Sequence, residues 1–559
     1  MNSIFCLFLM TTSVFGNDPI IDLPTGTIRG KVIGNNCSDY SCPSSCPFYS
    51  YTEIPFGQPP VGPLRFQAPK PVKSWTGVLD CTESRKLCFN VYGSFPYETE
   101  DCLLLNVYTP VPPCMRTKLP VLFQIYGGGF MNGVATFDAL GPHYFMRENL
   151  VVVTTYYRIG PWGFLSTGDK VIPGNAGLKD QCLALKWVQT NIHLFGGDPR
   201  KVTVMGVSAG AASATYQLLS RRCGGTFRAA IALSGSALNP WAYQRHHVEV
   251  AYQVANNINP LFQRNNSTKE MFTFLQTVSN ADLKNASLNI RLSYTDQMAQ
   301  GFYFAPVTEV DNESAFLNRK MYGLLETGSF NRVPILMGIS SEEELYRYAD
   351  TNNFKLYMQT FDSNPRLLVP EDMHVTNDTE KLALGQIIRK LYTGGLLADD
   401  LIASVKYFSD TCFNRPLIRY AQLQSTYTDV YFYQFSYYGK LSRTTFPQPE
   451  GLGKSSHTAD ANYLWVLNGN DDLLDYPESD ILTSKRYVKM YSNFVKFLNP
   501  TPDRSELLQQ IKWLKMEPDF LNYLDIDSNL TMKINPKSEH YFEWVHLYNK
   551  YGKKPFDTY

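Results

Sequence analysis

Short runs of apolar residues alternate with longer helix-like stretches along most of this chain of 559 residues. The short runs are rich in β-branched and aromatic residues, which predicts strands. Helical patterns lie between them, for example over 178–192 and 209–219. Strands that are apolar on both faces and separated by helices indicate an α/β fold with a large, mostly parallel central sheet and helices on both faces. The predicted strands are 103–108, 121–126, 151–156, 202–205, 229–233, 333–337 and 429–435.

The length of the chain would by itself suggest roughly three or four domains. The sequence contains no internal repeat and no low-complexity linker that would separate such domains. The alternation of strands and helices instead continues along the chain. We therefore predict one large α/β domain over residues 17–559.

The N-terminal residues 1–16 have a different character. They combine a short apolar core with small residues at Val14 and Gly16, as a cleavable secretory signal peptide does. They contain no Lys or Arg, and the alternative interpretation is a buried N-terminal strand. No later apolar run has the length needed to span a bilayer. The sequence thus predicts a secreted, extracellular protein without a transmembrane segment.

Asn-x-Ser/Thr sequons occur at seven positions and are candidate glycosylation sites, which agrees with secretion. Two of them overlap, and each sequon can also arise by chance. The seven are Asn36, Asn265, Asn266, Asn285, Asn312, Asn377 and Asn529.

Ten of the eleven cysteines follow the predicted signal peptide, which contains Cys6. In an oxidising compartment the early group is expected to form disulfides. A zinc site at its first three members is the alternative, but no His or fourth Cys lies near them, which favours a disulfide-closed surface loop. Three later cysteines, Cys182, Cys223 and Cys412, have apolar or helical surroundings and are predicted to be buried thiols. The early group is Cys37, Cys42, Cys46, Cys81, Cys88, Cys102 and Cys114.

The charge balance of the chain excludes one class of partner. With 51 Lys+Arg against 51 Asp+Glu, the formal net charge is +0. No basic run is available to neutralise phosphates, so nucleic acid is not an expected partner. Hydrophobic residues make up 44% of the chain and aromatic residues 14%, which supports a large core rather than disorder.

A candidate nucleophile follows the predicted strand at 202–205. The sequence there reads Gly206-Val207-Ser208-Ala209-Gly210 and continues into a helical stretch. A serine in G-x-S-x-G between a strand and a helix is typical of the nucleophile elbow, a sharp and strained turn. An ordinary glycine turn is the alternative. The position between strand and helix favours the catalytic interpretation.

Three consecutive glycines follow the predicted strand at 121–126. They are Gly127, Gly128 and Gly129, and without side chains their N–H groups can approach a substrate oxygen. Together with the N–H of Ala209, those of Gly128 and Gly129 are candidate oxyanion donors. A flexible glycine loop is the alternative. It is less favoured because the glycine segment and the nucleophile elbow belong to one mechanism and occur in the expected order along the chain.

The general base must be one of eight histidines. In a fold with a nucleophile elbow the order along the chain is nucleophile, acid, histidine. His457 lies in a loop of small residues after the predicted strand at 429–435, which places it at the carboxyl edge of the sheet. The acid candidates are Glu342, Glu343 and Glu344, directly after the strand at 333–337. The residues alone do not choose among the three. The eight histidines are His143, His193, His246, His247, His374, His457, His540 and His546.

With these motifs the chain closely resembles the type B carboxylesterase and cholinesterase family of α/β-hydrolases. The resemblance extends over nearly the whole mature chain, and the segment 138–146 is similar to secreted insect esterases. The matching segments are 59–66, 100–108, 126–130, 157–165, 174–181, 195–199, 206–210 and 234–236.

The resemblance implies roles for individual residues. Ser208 is the expected nucleophile, Glu343 the triad acid and His457 the base, with oxyanion donors at Gly128, Gly129 and Ala209. Trp241 matches a position in the acyl pocket and implies an apolar wall. Ser234 matches a serine near the triad. Cys88 and Cys102 match the first disulfide of the family.

Three positions depart from the pattern of the family. Glu344 follows the expected acid where glycine is usual, and a second carboxylate there can disturb the pKa of Glu343. Val207 replaces the glutamate of cholinesterases, and the short Cys88–Cys102 loop lacks their tryptophan, which removes the basis for choline selectivity. Val207 also differs from the glutamine of juvenile hormone esterases, which disfavours that identity.

The sequence therefore predicts a secreted serine carboxylesterase that acts on small, uncharged esters, as the neutral charge balance suits. The alternative from another class is a catalytically silent, cholinesterase-like binding or adhesion ectodomain. Such relatives are expected to have lost triad members, whereas this chain retains candidates for all three. No metal or organic cofactor is expected, because the sequence has no H-E-x-x-H, P-loop or dinucleotide-binding motif. The oligomeric state and the physiological ester stay open.

Overall fold

The computed structural model describes residues 18–34, 47–113, 115–264, 266–290, 301–467 and 475–559. Several predictions fall outside these ranges. They concern the signal peptide at 1–16, the sequons at Asn36 and Asn265, and the cysteines Cys6, Cys37, Cys42, Cys46 and Cys114.

A mixed sheet of eleven strands forms the centre of the molecule, with the order β14-β13-β12-β11-β10-β9-β7-β8-β6-β4-β3. A second sheet has three strands, in the order β1-β2-β5. The strands are β1 Ile20–Leu23, β2 Gly26–Arg29, β3 Lys31–Ile33, β4 Phe48–Pro55, β5 Val78–Asp80, β6 Leu104–Thr109, β7 Leu119–Ile125, β8 Val151–Thr155, β9 Gly197–Val207, β10 Ala229–Leu233, β11 Ile335–Ser340, β12 Val430–Phe435, β13 Asn522–Ile526 and β14 Leu530–Ile534.

Helices connect the strands and cover both faces of the large sheet. In the described residues these helices are α1 His143–Arg147, α2 Gly160–Phe164, α3 Ala176–Asn191, α4 Ala209–Leu219, α5 His247–Ile258, α6 Thr268–Thr277, α7 Asn280–Leu288, α8 Met321–Glu326, α9 Thr351–Ser363, α10 Asp378–Tyr392, α11 Leu401–Ser409, α12 Arg415–Ser425, α13 Glu478–Phe497 and α14 Ser538–Tyr551.

The strand pairing confirms the predicted α/β class. Strands β7 to β13 pair in parallel within the sheet, whereas β3, β4, β6 and β14 form antiparallel pairs at its two sides. All seven predicted strands are present, and β6, β8, β10 and β11 are buried along their whole length. Burial on both faces is the reason that their sequences are continuously apolar.

The core is divided into two layers by the large sheet. Along β7, Val121 and Phe123 pack on one face and the intervening Leu122 packs on the other. Along β8, Val153 packs on the same face as Val121 and Phe123, and Val152 packs on the face of Leu122. Side chains of a strand alternate between its two faces, so each apolar run contributes to both layers.

The disulfides correct one part of the sequence interpretation. Cys88 is bonded to Cys102, but Cys182 and Cys223, predicted to be thiols, also form a disulfide. Cys182 lies on α3 and Cys223 in the 3₁₀ turn after α4, and the fold brings their Cα atoms to 5.7 Å across 41 residues.

Two cysteines in the described part of the chain are free thiols. Cys412 is buried, as predicted, whereas Cys81, which was expected to form a disulfide, is also a buried thiol. Burial raises the pKa of each thiol to about 12, so both stay protonated at neutral pH.

No helix among the described residues is long and apolar enough to cross a bilayer.

Candidate active site

The candidate nucleophile occupies a strained turn between β9 and α4. Ser208 has φ 57° and ψ −123°, a conformation that a residue with a side chain adopts only where its surroundings enforce it. The turn brings β9 so close to α4 that a Cβ on Gly206 would lie 2.1 Å from the backbone of Gly210. The first glycine of the motif is therefore required by packing. Ser208 itself is half-buried at the carboxyl end of β9.

A chain of two hydrogen bonds joins three residues that are far apart in sequence. Nε2 of His457 lies 2.8 Å from Oγ of Ser208, and Nδ1 of His457 lies 2.8 Å from Oε2 of Glu343. Glu343 is completely buried, and the His457 side chain is 17% exposed. This arrangement orients the imidazole by one nitrogen and leaves the other to accept a proton from the hydroxyl.

Three donors hold the loop and carboxylate of Glu343. Oε1 accepts hydrogen bonds from Oγ of Ser234 and from the N–H of Ser340, both at 2.7 Å. The N–H of His457 donates to the carbonyl of Glu343 at 3.0 Å. Oε2 is thereby directed at the imidazole. Ser234 lies where the family resemblance implied, whereas a backbone donor such as Ser340 leaves no signal in a sequence.

The other two glutamates of the acidic run point to different partners. Glu344 is buried and accepts a hydrogen bond from Nε of Arg347. Its negative charge is therefore paired with the Arg347 guanidinium and not with a residue of the triad. Glu342 is also buried and lines a separate cleft of about 560 Å³ that contains Lys537. Burial raises the pKa of Glu342 and the Lys537 ammonium opposes this shift. Of the three, Glu343 is the one that contacts His457.

The glycine segment after β7 lies against the elbow. A Cβ on Gly127 would be 2.5 Å from the carbonyl oxygen of Val207 and 3.1 Å from Cβ of Ser208. Gly128 has φ +104°, a conformation open to glycine and strained for other residues. Among the described residues, the N–H groups of Gly128 and Gly129 donate to no backbone acceptor. Ala209 is the first residue of α4, where the N–H groups have no partner within the helix. These three N–H groups remain the candidate oxyanion donors.

Aromatic rings form a wall from the glycine segment to the base. A Cβ on Gly129 would touch the ring of Phe302 at 2.8 Å, and that ring lies 5.8 Å from Trp241. Trp241 lies 5.5 Å from Phe413, whose ring is 4.5 Å from the imidazole of His457. Trp241 is thus buried in an apolar wall.

The position of Phe413 depends on an irregular helix. Residues Asp410–Asn414 form a π-helical turn between α11 and α12. The carbonyl of Cys412 in this turn accepts hydrogen bonds from Nδ2 of Asn239 at 2.6 Å and Nε1 of Trp241 at 2.9 Å. Such turns shift the register of a helix and are common at functional sites. Sequence reasoning missed both Phe302 and Phe413. A π-turn has no clear sequence signature, which explains Phe413. Phe302 meets Gly129 and Trp241 only through contacts between distant segments.

Other histidines have structural surroundings. His143 is buried, and this desolvation lowers its pKa to about 4. His540 is bonded through Nδ1 to Oδ2 of Asp410 at 2.8 Å. His374 lies 2.9 Å from the carbonyl of Lys553. None of these three histidines contacts Ser208, so their surroundings agree with the choice of His457 as candidate base.

The sequons in the described residues lie at the surface. Asn285, Asn377 and Asn529 are exposed, and Asn266 and Asn312 are half-buried. Each of the five is therefore at least partly accessible to solvent.

Comparisons with known proteins agree with this geometry. The sequence matches the carboxylesterase family over residues 17–544. It is 34% identical over 439 residues to venom carboxylesterase-6 of Apis mellifera, with 75% of each chain covered. It is 30% identical over 508 residues to a juvenile hormone esterase of Tribolium castaneum, with 86% of this chain and 84% of the relative covered.

A solved structure has the same architecture. The crystal structure of juvenile hormone esterase from Manduca sexta, with OTFP covalently attached, matches with a TM-score of 0.81 and 25% identity, covering 95% of this chain and 100% of the other. The family match, these relatives and this fold together show that the chain belongs to the carboxylesterase family and is a carboxylic ester hydrolase with the α/β-hydrolase fold.

Proposed function

We propose that the protein is a serine carboxylesterase that hydrolyses uncharged esters through an acyl-enzyme on Ser208. The observation that carries this proposal is the pair of 2.8 Å hydrogen bonds from Ser208 to His457 and from His457 to Glu343. A hydroxyl becomes a good nucleophile when a base with a fixed orientation can take its proton. The strained backbone of Ser208 presents this hydroxyl at the end of β9.

The proposed reaction has two stages with the same residues. Ser208 Oγ attacks the ester carbonyl while His457 takes its proton, and the imidazolium then gives that proton to the leaving alcohol. Water attacks the acyl-enzyme in the second stage, with His457 again acting first as base and then as acid. Glu343 fixes the orientation of the imidazole and stabilises its charged form.

The N–H groups of Gly128, Gly129 and Ala209 are the proposed oxyanion donors. Each donor of this kind contributes about 3 kcal/mol to transition-state stabilisation in comparable sites. They lie at the first turn of α4 and beside the elbow, where charge develops on the carbonyl oxygen. The N-terminus of a helix favours negative charge at the same place.

The surroundings of the site favour a neutral substrate. Trp241, Phe302 and Phe413 supply an apolar wall, and the chain has a formal net charge of +0. Val207 offers no carboxylate for a cationic alcohol group. We propose that Trp241 and its aromatic neighbours contact the acyl group. Juvenile hormone esterases are among the similar proteins. Juvenile hormone is therefore a useful ester to include in a panel of test substrates.

Secretion and domain organisation complete the proposal. We propose that residues 1–16 are a cleaved signal peptide and that 17–559 form one domain. Five candidate glycosylation sites have solvent-accessible side chains, and the two disulfides agree with an oxidising compartment. Mass spectrometry of protein secreted from insect cells should find an N-terminus near residue 17 and glycans at some of the seven sequons. A retained N-terminus on the secreted protein would contradict this part.

Labelling with an organophosphonate tests the chemistry directly. We expect one phosphonate per molecule, attached to Ser208, together with loss of hydrolysis of p-nitrophenyl acetate. The matched control is Ser456→Ala, because Ser456 is a buried serine beside His457 with no place in the relay; it should still label. A purified, folded protein that neither labels nor hydrolyses the ester would show that the proposal is wrong.

A substrate panel would narrow the ester. Acyl and alcohol lengths should be varied separately, because the aromatic wall is proposed to limit the acyl group alone. Uncharged esters should be hydrolysed with a higher kcat/KM than choline esters of the same acyl group. A preference for choline esters would contradict the proposed substrate class.

A further inference from the structure

The turn that follows the glycine segment sets the direction of a proposed oxyanion donor. The N–H groups of Met131 and Asn132 donate to the carbonyl oxygen of Gly128 at 3.1 and 2.9 Å. This carbonyl belongs to the same peptide unit as the N–H of Gly129. In a planar, trans peptide the carbonyl and the N–H point in opposite directions. The two hydrogen bonds on the carbonyl therefore fix the direction of the Gly129 N–H.

The two ends of this turn are in close contact. A Cβ on Gly128 would lie 2.2 Å from the carbonyl oxygen of Asn132, and a Cβ on Gly133 would lie 2.6 Å from that of Gly127. Residues 127–133 are thus packed backbone against backbone. A shift at the far end of the turn would be transmitted to the oxyanion donor.

The loop that the Cys88–Cys102 disulfide closes holds this far end. Oδ1 of Asn90 accepts a hydrogen bond from the N–H of Gly133 at 2.7 Å. The N–H of Val91 donates to the carbonyl of Met131 at 2.8 Å. The disulfide loop and the turn are therefore joined by two hydrogen bonds from consecutive residues of the loop.

Asn90 is itself held in place on the side of the loop. It is buried, its Nδ2 donates to the carbonyl of Cys88 at 2.9 Å, and its N–H donates to Oε1 of Glu98 at 2.9 Å. Glu98 is in turn paired with Nζ of Lys284 on α7 at 3.1 Å. A buried polar network with its partners in place is rigid. Asn90 thus offers the turn an acceptor with a fixed position.

We propose that Asn90 is a positioning residue for the oxyanion site. It holds the turn so that the N–H of Gly129 points to the place where the substrate oxygen becomes negative. Oxyanion donors are effective because they are oriented before the reaction and need no reorganisation during it. This role differs from that of Glu343, which orients the base. The inference rests on the proposed serine esterase mechanism.

Asn90→Ala removes the acceptor of the Gly133 N–H and tests this role. Loss of a complete oxyanion donor lowers kcat by about 10²- to 10³-fold, and a misdirected donor should cost less. We expect kcat to fall about tenfold while KM stays the same, with kcat counted per site that the phosphonate labels. The acid limb of the pH profile should not move, because His457 keeps its contacts with Ser208 and Glu343.

A trifluoromethyl ketone gives a readout that is specific for the oxyanion. Oγ of Ser208 bonds to the ketone carbon, its proton passes to His457, and the π electrons of the carbonyl become a negative charge on the hemiketal oxygen. This oxygen resembles that of the transition state. Its inhibition constant in Asn90→Ala should therefore rise by the same factor as kcat/KM falls. A purely structural role of Asn90 would lower thermal stability and leave this constant unchanged.

A second buried asparagine is the matched control. Asn493 on α13 is buried, and its Nδ2 donates to the carbonyl of Pro500 at 3.1 Å, in the loop after that helix. Asn493→Ala also removes a buried amide, so thermal stability should fall. Its kcat and its inhibition constant should keep the wild-type values. Equal changes in the two variants would overturn the inference.

Asn132→Ala gives an independent measurement if Asn90→Ala does not fold. It removes Oδ1, which accepts a hydrogen bond from the N–H of Tyr92 in the disulfide loop at 2.9 Å, and leaves the backbone bonds of the turn. We expect kcat to fall and the inhibition constant to rise by about threefold. The inference is overturned if folded, fully labelled Asn90→Ala, or Asn132→Ala in its place, retains the wild-type kcat and inhibition constant. Absence of labelling in the wild type would instead contradict the proposed function itself.

Discussion

Two histidine–carboxylate pairs in this structure have the same hydrogen-bond length and different surroundings. His457 lies 2.8 Å from Glu343, and His540 lies 2.8 Å from Asp410. His457 has a hydroxyl, Ser208 Oγ, at its other nitrogen. His540 is buried on α14 against the ring of Tyr392 at 4.3 Å. A histidine–carboxylate pair alone therefore does not identify a catalytic base.

Location in the fold accounts for the difference. Ser208 and the loops that carry Glu343 and His457 follow β9, β11 and β12, so they meet at the carboxyl edge of the sheet. The pair of His540 and Asp410 instead ties the C-terminal helix to the π-turn Asp410–Asn414. One side chain links the two pairs, because Phe413 of the π-turn packs on His457. We therefore predict that substitutions in the pair of His457 and Glu343 lower activity strongly. Substitutions in the pair of His540 and Asp410 should lower it only slightly.

The largest expected effect is at Ser208. Ser208→Ala removes the nucleophile and should lower kcat by about 10⁶-fold, as in comparable serine hydrolases. His457→Ala should cause a similar loss, and the double variant should be little worse, because the residues act as a unit. Steady-state kinetics with p-nitrophenyl acetate measures this. Additive losses in the double variant would show that the two residues do not act together.

The second effect separates the three glutamates. Glu343→Gln removes the carboxylate that orients the imidazole and should lower kcat by about 10⁴-fold. Glu342→Gln and Glu344→Gln should retain most activity, because neither side chain contacts His457. Glu344→Gln should still lower thermal stability, since it weakens the buried pair with Arg347. If Glu342→Gln or Glu344→Gln inactivates the enzyme while Glu343→Gln does not, the assigned acid is wrong.

The sequence predicts the parts of this site that depend on strand order. Continuous apolar runs mark β7, β9 and β11 because these strands are buried on both faces, and the elbow and the glycine segment follow directly from them. Strands β1 to β5 and the hairpin of β13 and β14 were not predicted. For β1, β3 and β14 the reason is that partly exposed strands have mixed sequences.

Contacts between distant segments were missed for a different reason. The residues alone left Glu342, Glu343 and Glu344 open, because the spacing of residues does not encode where each carboxylate points, and only the family resemblance selected Glu343. The Cys182–Cys223 disulfide depends on the packing of α3 against the turn after α4, so a local view of each cysteine suggests a thiol. Phe413 reaches His457 only because of the π-turn.

A smaller effect should appear in acyl selectivity. Phe413→Ala removes a ring between Trp241 and His457, so longer acyl groups gain space. We expect the ratio of kcat/KM for butyrate over acetate esters to rise about tenfold. Phe408→Ala is the control, because this buried ring of α11 packs against Phe361 and not against Trp241 or His457. An equal change of the ratio in both variants would mean that the effect comes from general loosening.

The smallest catalytic effect is expected at the second histidine pair. His540→Ala removes a hydrogen bond to Asp410, which retains Tyr392 Oη at 3.0 Å and Asn414 Nδ2 at 2.9 Å. The free energy of unfolding should fall by about 1–3 kcal/mol, measured by urea denaturation. The butyrate-to-acetate ratio should rise less than in Phe413→Ala, because the π-turn is loosened but its ring remains. The exposed His193→Ala should change neither quantity. A loss of kcat as large as that of His457→Ala would show that position at the sheet edge does not distinguish the two pairs.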